Sequence, residues 1–384
     1  MNTSPTIQSI EAILVDLPTI RAHKLAMTTM MRQTLVIVRL ACSDEITGVG
    51  ETTTIGGLVY GDQSPESIKS AIDDYIAPLL VGTDATRINR TMQHVGASVQ
   101  GNSFAKAAIE IALLDAQGRR LGLPVHALLG GAVRDALPVL WTLASGDATR
   151  DVDEALALIE ARRHKVFKLK IGSHPLREDI AHVQAIRRGL GDDVMLTVDV
   201  NQAWDEPTAV RGIAALEAVG VSLIEQPVAR RNRGALKRLA ARFDVAIMAD
   251  EAVHDAKDAF DLAADAAADV YALKTSQAGG LWPTLRAAAV ADAGGMGIYG
   301  GTLLEGSIGS IAAAHVFAAC PTLAWGTELF GPLLLKDDVV VQRAEYRDFE
   351  LKLPQVPGLG VQIDLDKLAF YRRDRASQTV AVTA

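Results

Sequence analysis

The feature that most constrains the fold is a strand–helix unit that recurs through the last two thirds of the 384-residue chain. Short apolar segments, several ending at a charged residue, recur every 24 to 29 residues and alternate with amphipathic stretches. A ring of such units forms an eight-stranded parallel barrel, so the sequence predicts an α/β fold with a (β/α)7β TIM-like barrel. The predicted strands are 137–143, 166–171, 194–200, 222–226, 245–250, 270–274, 297–300 and 323–326. The predicted helices are centred near Ala157, Val183, Ile213, Leu236, Phe260, Ala287 and Ala313.

The first third of the chain has a different pattern. Alternating apolar residues predict antiparallel strands, and an Ala- and Leu-rich stretch that ends near Gly122 predicts a helix. The strands are expected at 7–17, 34–42 and 48–53, with a polar loop at 18–26 and a glycine-rich loop at 55–61. We predict an α+β capping domain over 1–131, the barrel over 132–328, and a C-terminal segment over 329–384 that packs back on the capping domain and frays at 376–384.

Composition excludes several classes of function. The net charge is −8 without a long run of one sign, which argues against a nucleic-acid partner. The two cysteines, Cys42 and Cys320, form neither a disulfide framework nor a zinc motif, so a reduced compartment is expected. The N-terminus has no signal-peptide pattern and no apolar run reaches membrane-spanning length. We therefore expect a cytoplasmic protein without a membrane partner.

Three acidic residues end consecutive predicted strands: Asp199, Glu225 and Asp250. The carboxyl ends of barrel strands meet at one mouth, where three carboxylates cannot all stay ionised without a cation. Oxygen ligands from rigid strands suit Mg²⁺ or Mn²⁺ better than zinc, so the pattern predicts a divalent-metal site. Each acid taken alone could instead be the N-cap of the following helix.

Lysines end the flanking strands. Lys168 and Lys170 lie two residues apart and should point the same way, and each ammonium should lower the pKa of the other. Lys274 should lie across the barrel, so a proton could be handled from either face of a substrate. The alternatives are lysines that only pair with the acids, or a Schiff base, which would need no metal. Together, the lysines and acids favour an enzyme that stabilises the enolate of a carboxylate substrate.

The motifs that surround these residues resemble those of the enolase superfamily, in its muconate lactonizing enzyme subgroup. They are KLK at 168–170, DVNQAW at 199–204, LIEQP at 223–227, ADE at 249–251 and the later Lys274. The resemblance covers nearly the whole chain, and further segments make it most similar to the muconate cycloisomerases of that subgroup. Those segments are 15–21, 54–61, 141–147, 299–309 and 326–332.

The resemblance implies a function for each matched residue. Asp199, Glu225 and Asp250 would bind Mn²⁺ or Mg²⁺; Lys170 would be the general acid, with Lys168 tuning it and Lys274 on the opposite face. Polar support would come from Asn201 and Glu328, and substrate contacts from His23, Lys24, Ile55, Tyr60, Thr142 and Phe330. The substrate would be cis,cis-muconate, a dicarboxylate of catechol breakdown by the β-ketoadipate route, and the enzyme an octamer. The loop residues could equally be solvated or serve only to pack the cap.

One position departs from the pattern that the resemblance implies. Gln277 stands where similar muconate enzymes usually have a further lysine, which leaves chlorinated muconates open as substrates. Ile55 and Phe330 resemble the type that acts on the unchlorinated diacid, so the two signals conflict. The barrel motifs also fit a dipeptide epimerase, an N-acylamino acid racemase or an o-succinylbenzoate synthase. A non-catalytic binding protein is the remote alternative. Such a protein would be expected to have lost a lysine or a metal ligand, whereas all of these positions are filled in this sequence.

Overall fold

The computed structural model describes residues 4–25 and 28–373, so the expected fraying at 376–384 lies outside the described residues. A curled sheet of parallel strands forms the wall of the barrel in the order β11-β10-β9-β8-β7-β6-β5. Its strands are β5 Trp141–Leu143, β6 Val166–Lys170, β7 Met195–Asp199, β8 Leu223–Glu225, β9 Ala246–Ala249, β10 Val270–Leu273 and β11 Gly297–Gly300. Apolar residues fill these strands because both faces of the sheet are covered. The predicted parallel barrel is confirmed.

The eighth strand was predicted wrongly. No regular strand forms at 323–326; instead, a single residue, Thr327, bridges the two edges of the sheet. Thr327 makes parallel bridges to Gly300 on β11 and to Val139 before β5. The Leu140 amide also donates to the Thr327 carbonyl over 3.0 Å, and the Glu328 amide donates to the Gly300 carbonyl over 2.8 Å. The ring is therefore closed by a short extended segment, one residue beyond the predicted one.

Seven long helices alternate with the barrel strands and contain every predicted helix centre. They are α6 Ala148–Glu160, α7 Leu176–Leu190, α8 Glu206–Ala218, α9 Arg233–Ala240, α10 Ala256–Ala264, α12 Leu281–Ala293 and α13 Ser307–Ala319, with the short α11 Thr275–Ala278 between β10 and α12. Four of the helices begin at an Asp or Asn whose side chain accepts a backbone N–H of the first turn. These caps are Asp147, Asp205, Asn232 and Asp255. None of the three predicted metal ligands is among them, so the N-cap alternative is not supported.

The capping region begins with an antiparallel sheet of β1 Ile7–Lys24, β2 Thr29–Cys42 and β3 Thr47–Thr53. The polar loop predicted at 18–26 was wrong over 18–24. There, β1 continues past an irregularity and pairs again through His23 with Met30 and through Lys24 with Thr29. Burial of His23 against the barrel mouth explains why a polar sequence is extended here.

Helices follow the capping sheet. Those that pack against it are α1 Pro65–Ser70, a π-helix Ala71–Ile76, α2 Ala77–Leu80 and α4 Ser103–Leu121, whereas α3 Ile88–Ser98 and α5 Val125–Leu128 pack against α4. A Cβ at Gly48 or Gly50 would lie 2.0 Å from a carbonyl oxygen of α4, so glycine is needed for this close approach. Within residues 4–25 and 28–373, no helix has the length and apolar character needed to cross a bilayer.

The C-terminal segment contains α14 Gly331–Leu334, β12 Tyr346–Arg347, β13 Glu350–Lys352 and α15 Leu365–Tyr371. β13 pairs with β4 Ala136–Pro138, which precedes the barrel. Near its end the segment returns to the capping sheet, where Arg372 bridges Val15 and the Arg373 guanidinium donates to Asp16 over 2.7 Å. The domain boundaries at 131 and 328 stay predictions.

Candidate active site

The ends of neighbouring strands place the predicted chemical groups in one layer at the mouth of the barrel. Lys170 on β6 is in register with Asp199 on β7, which is in register with Glu225 on β8. Asp250 and Lys274 directly follow β9 and β10. Because β6 and β10 are separated by three strands of an eight-position ring, Lys170 and Lys274 approach the mouth from opposite sides.

Each lysine faces a buried carboxylate. Lys170 Nζ lies 2.5 Å from Asp199 Oδ2, and Lys168 Nζ lies 2.5 Å from Glu225 Oε2. Lys274 Nζ contacts both oxygens of Asp250, at 2.6 and 2.7 Å. Every predicted metal ligand is therefore balanced by an ammonium group in this structure.

The expectation that neighbouring ammonium groups would lower a lysine pKa was wrong for this arrangement. Burial lowers the pKa of Lys170, and Lys168 lowers it further, but Asp199 and the other carboxylates outweigh both and raise the pKa above its ordinary value. For Lys168, Glu225 and Glu328 overcome burial and raise the pKa well above its ordinary value. A carboxylate 2.5 Å from a lysine ammonium group shifts the lysine pKa more strongly than a second lysine two residues away on the same face of the strand does.

A small pocket lies between the lysines. Its free volume of about 20 Å³ holds roughly one water molecule. Of the predicted residues, those that line it are His23, Ile55, Tyr60, Lys170, Asn201, Glu225, Asp250, Lys274 and Glu328. A six-carbon diacid does not fit into this volume, so the segments that cover the mouth must move for such a substrate to enter.

Four predicted residues lie just behind the pocket wall. Asp199 is behind Lys170, and Lys168 is buried below Glu328, whose Oε2 is 2.7 Å from Lys168 Nζ. Thr142 donates to Glu328 Oε1 over 3.2 Å, and Phe330 packs on the Trp141 ring at 5.0 Å. Here Phe330 and Thr142 shape the wall without reaching the pocket.

The cap supplies two of the polar lining groups. The Tyr60 hydroxyl accepts from Lys274 Nζ over 2.6 Å and donates to Asp250 Oδ2 over 3.0 Å, and Gln277 Nε2 reaches the same hydroxyl at 3.4 Å. His23 is buried, and burial, with Lys170 and Arg21 nearby, lowers its pKa to about 3, so the ring is neutral. Lys24 is not among the residues that line the pocket; its side chain is exposed and lies over Gly146.

Sequence reasoning missed several residues of the site. Leu25, Thr302 and Leu304 also line the pocket. Glu251 is buried beside Asn201, whose Nδ2 is 3.4 Å from Glu251 Oε1, and the buried Tyr299 ring lies 5.0 Å from Lys168 Nζ. Glu251 follows Asp250 in the ADE motif and could have been found there, whereas Tyr299 and Leu304 carry no chemical signal of their own.

The residues present fit a divalent cation. Five carboxyl groups and three ammonium groups meet at the mouth, so the acids outnumber the lysines by two; the acids are Asp199, Glu225, Asp250, Glu251 and Glu328. Glu225 Oε2 and Asp250 Oδ1 are paired with lysine Nζ atoms at 2.5 and 2.6 Å, whereas the buried Glu251 Oε2 and Asn201 Oδ1 have no hydrogen-bond partner. Burial and Asp250 raise the pKa of Glu251 to about 8. In the described part of the chain, however, no three acid, histidine or cysteine side chains already stand at metal-ligand spacing.

Similarity to known proteins agrees with this site. Residues 9–130 match the mandelate racemase / muconate lactonizing enzyme N-terminal domain, and 150–367 match the enolase C-terminal domain-like family. The chain is 56% identical to muconate cycloisomerase 1 of Pseudomonas putida over 97% of this chain and 100% of that protein. It is 46% identical to a chloromuconate cycloisomerase of Delftia acidovorans, covering 96% and 99%.

Among solved structures, the muconate lactonizing enzyme from Pseudomonas fluorescens complexed with muconolactone superposes with a TM-score of 0.96. It is 56% identical, over 97% of this chain and 100% of that one. Enzymes of this superfamily use divalent metal ions to stabilise an enolate, as the handling of carboxylate substrates requires. Because both of its domains match this family and its relatives are muconate cycloisomerases over nearly the whole chain, the chain belongs to the muconate lactonizing enzyme subgroup of the enolase superfamily.

Proposed function

We infer that the chain is a muconate cycloisomerase, which converts cis,cis-muconate reversibly to muconolactone. The observation that carries this is the pair of lysines, Lys170 and Lys274, that reach one pocket from opposite sides beside the carboxylates of Glu225 and Asp250. The relatives with more than half of their residues identical are muconate cycloisomerases, which favours this reaction over those of the sister enzymes.

Lys170 transfers the proton in this proposal. One carboxylate of the substrate adds through an oxygen to the carbon β to the other carboxylate, which forms the C–O bond of the five-membered ring. The electron pair of the double bond moves toward the other carboxylate and gives an enolate, and Lys170 Nζ donates a proton to the carbon next to that carboxylate. In the reverse direction the neutral Lys170 amine removes the same proton.

Lys170 can return to its ammonium form because it is hydrogen-bonded to Asp199. Lys168, held between Glu225 and Glu328, keeps a positive charge beside Lys170. This charge favours release of the Lys170 proton. Lys274, tied to Asp250 and Tyr60, stabilises negative charge from the other face. Thr142 and Lys168 orient Glu328 in the wall.

A divalent cation, Mn²⁺ or Mg²⁺, would be held by Asp199, Glu225 and Asp250. When bound, it supplies the positive charge that makes the enolate of a carboxylate accessible. The lysines now paired with these acids would then be free to face the substrate. Such an ion would also offset the two acids by which the carboxyl groups of the mouth outnumber its lysines.

Chlorinated muconates are the second candidate substrates. The chloromuconate relative is 46% identical against 56% for the muconate enzyme, and the buried Ile55 and Phe330 were already assigned to the unchlorinated type. Gln277 is the opposing signal. In this structure the Gln277 amide reaches the Tyr60 hydroxyl at 3.4 Å. Three lysines already lie at the pocket or just behind its wall, so an uncharged side chain at position 277 is compatible with this site.

The loss of muconate absorbance with Mn²⁺ present tests this function, run beside 3-chloromuconate and a dipeptide panel. We expect the highest kcat/KM for muconate. Faster turnover of 3-chloromuconate would make the second candidate correct, and turnover of a dipeptide alone would move the function to a sister reaction.

We further propose a cytoplasmic homo-oligomer that acts in catechol degradation. Burial of both cysteines as free thiols is compatible with a reduced compartment. Sedimentation analysis would separate an octamer from smaller assemblies.

A further inference from the structure

The loop after β11 contains a leucine in an unusual backbone conformation. Leu304 has φ +64°, in the left-handed region that side-chain-bearing residues other than Asn and Asp rarely adopt. Its side chain is buried and lines the pocket together with Leu25 and Ile55. Strained residues of this kind persist where the surrounding structure fixes them, and they cluster at binding and catalytic sites.

The capping sheet fixes this loop. Gln33, on β2, is 1% exposed, and its Nε2 donates to the Leu303 carbonyl over 2.7 Å and to the Leu304 carbonyl over 3.2 Å. Both donor hydrogens of the amide are thus directed at one turn of the loop, although Gln33 is 270 residues away in sequence from Leu303. No other residue of the capping sheet contacts these two carbonyls among the hydrogen bonds of the described residues.

The loop's own side chains and the C-terminal segment hold the same turn. The Leu304 amide donates to Thr302 Oγ1 over 2.9 Å, and Thr302 in turn donates to Glu305 Oε2 over 2.5 Å. A Cβ at Gly331 would lie 2.1 Å from the Glu305 carbonyl oxygen and 2.8 Å from the Leu304 carbonyl carbon, so the following segment presses directly on this peptide. The turn is thus contacted by the capping sheet, by its own side chains and by the C-terminal segment.

The loop also covers a catalytic group. A Cβ at Gly301 would lie 2.8 Å from Lys274 Cγ, so the chain runs directly over the Lys274 stem before it reaches Leu304. The position of the Leu304 side chain is therefore set relative to Lys274, with the capping sheet as the second support.

We propose that Gln33 is a positioning residue that holds Leu304 in its left-handed conformation, so that the leucine side chain contacts the carbon chain of the bound diacid. This rests on the proposed function, because it takes the pocket to be the muconate site. Gln33 itself does not touch substrate. Gln33 lies on β2, a strand that contains none of the predicted pocket-lining residues. The capping sheet thus influences how the substrate fits through a residue that does not contact it.

The test compares Gln33→Ala, Leu304→Gly and the double variant. Glycine adopts φ near +64° without strain and removes the side chain, so it deletes what Gln33 is proposed to position. We expect Gln33→Ala to raise KM for muconate about 5- to 10-fold with kcat nearly unchanged, and to change KM less than about 2-fold in the Leu304→Gly background. KM does not depend on the fraction of folded enzyme, so partial misfolding cannot imitate this result.

The matched control is Thr284→Val, which removes another buried side-chain donor to a carbonyl, that of Gly280 at 2.7 Å, away from the pocket. It should lower Tm without changing KM. The proposal is overturned if Gln33→Ala lowers Tm but leaves KM unchanged, or if it raises KM by the same factor in both backgrounds.

The same series is measured by calorimetry with adipate, an unreactive six-carbon diacid, on Mn²⁺-loaded protein. A wild type that binds adipate but does not consume muconate would overturn the proposed function alone, and the ratio of adipate Kd values would then decide the role of Gln33. A wild type that binds no diacid would overturn both.

Discussion

Two clusters of buried carboxylates lie in this protein, and they are neutralised in different ways. The mouth cluster consists of Asp199, Glu225, Asp250, Glu251 and Glu328, and its main partners are lysine side chains. The α13 cluster consists of Glu51, Glu305 and Asp338, and its main partners are backbone N–H groups. All eight side chains are less than a tenth exposed, so burial alone does not distinguish them.

The α13 cluster joins three parts of the chain. Glu51, on β3, accepts from the Gly306 amide over 2.6 Å and from the Gly309 amide over 2.9 Å, and Asp338, in the C-terminal segment, accepts from the Ser307 amide over 2.8 Å. These amides belong to the first turn of α13 or directly precede it, where the helix has unpaired donors and a partial positive charge.

The difference indicates which acids are available for chemistry. A backbone amide neither moves away nor gives up its proton, so the acids of the α13 cluster stay where they are. A lysine can swing aside, and it can release or take up a proton. The mouth cluster also keeps a carboxyl oxygen without a hydrogen-bond partner, Glu251 Oε2, whereas Glu51 has both oxygens occupied.

Removal of divalent metal should give the largest contrast between the clusters. Protein stripped with EDTA is expected to lose nearly all turnover of muconate, because only the mouth cluster depends on a cation, and added Mn²⁺ or Mg²⁺ should restore it. Circular dichroism should stay unchanged, since the α13 cluster is satisfied by the backbone. Full activity in a sample shown by elemental analysis to be metal-free would contradict the assignment.

Replacement of the proposed acid should have the next largest effect. Lys170→Ala is expected to lower kcat by roughly 10²- to 10⁴-fold, the usual contribution of a positioned proton donor. Metal binding, measured by calorimetry, should survive because Asp199 is retained. Lys257→Ala is the control, since that lysine is exposed and pairs only with Asp261. Near-normal activity of Lys170→Ala would mean that the proton comes from another group.

The contrast also explains how far the sequence could be read. The acids and lysines of the mouth lie at strand ends with a regular spacing, so their convergence followed from the fold. The bonds of Glu51 to the Gly306 and Gly309 amides join residues more than 250 positions apart and follow no local pattern, so sequence reasoning could not find them. The lysine pKa directions were misjudged for a related reason: they depend on distances between side chains of different strands.

Two isosteric substitutions sharpen the comparison of stability. Glu51→Gln places an amide N–H₂ against a backbone N–H and should lower the free energy of unfolding by about 2–4 kcal/mol, as expected for a buried unsatisfied pair. Glu225→Gln leaves Lys168 paired with Glu328 and should therefore lower metal-free stability by less than Glu51→Gln does, while abolishing turnover. Urea unfolding of both proteins without metal measures the difference. Equal losses would show that the two clusters are held in the same way.

The smallest expected effect is a pH dependence, tested with one histidine from each region. Burial lowers the pKa of His23, which lines the pocket, to about 3, and that of His315, on α13, to about 4. Both are neutral in the folded protein but bind a proton in the unfolded chain below about pH 6.5, so stability falls as the pH drops from 6.5 toward the folded values. At pH 5.5 each contributes a loss of about 1.4 kcal/mol, which His23→Gln or His315→Gln should remove.

The two variants should differ at neutral pH. His315 Nδ1 accepts from the His126 amide over 3.2 Å and Nε2 lies 3.1 Å from the Leu359 carbonyl, so its replacement should destabilise the protein at pH 7.5 as well. His23 Nδ1 has no partner, so its replacement should cost little there. Urea unfolding at pH 7.5 and 5.5 measures both terms. If His23→Gln kept the acid sensitivity of the wild type, the ring would already be protonated in the folded pocket and would belong to the charged groups of the mouth.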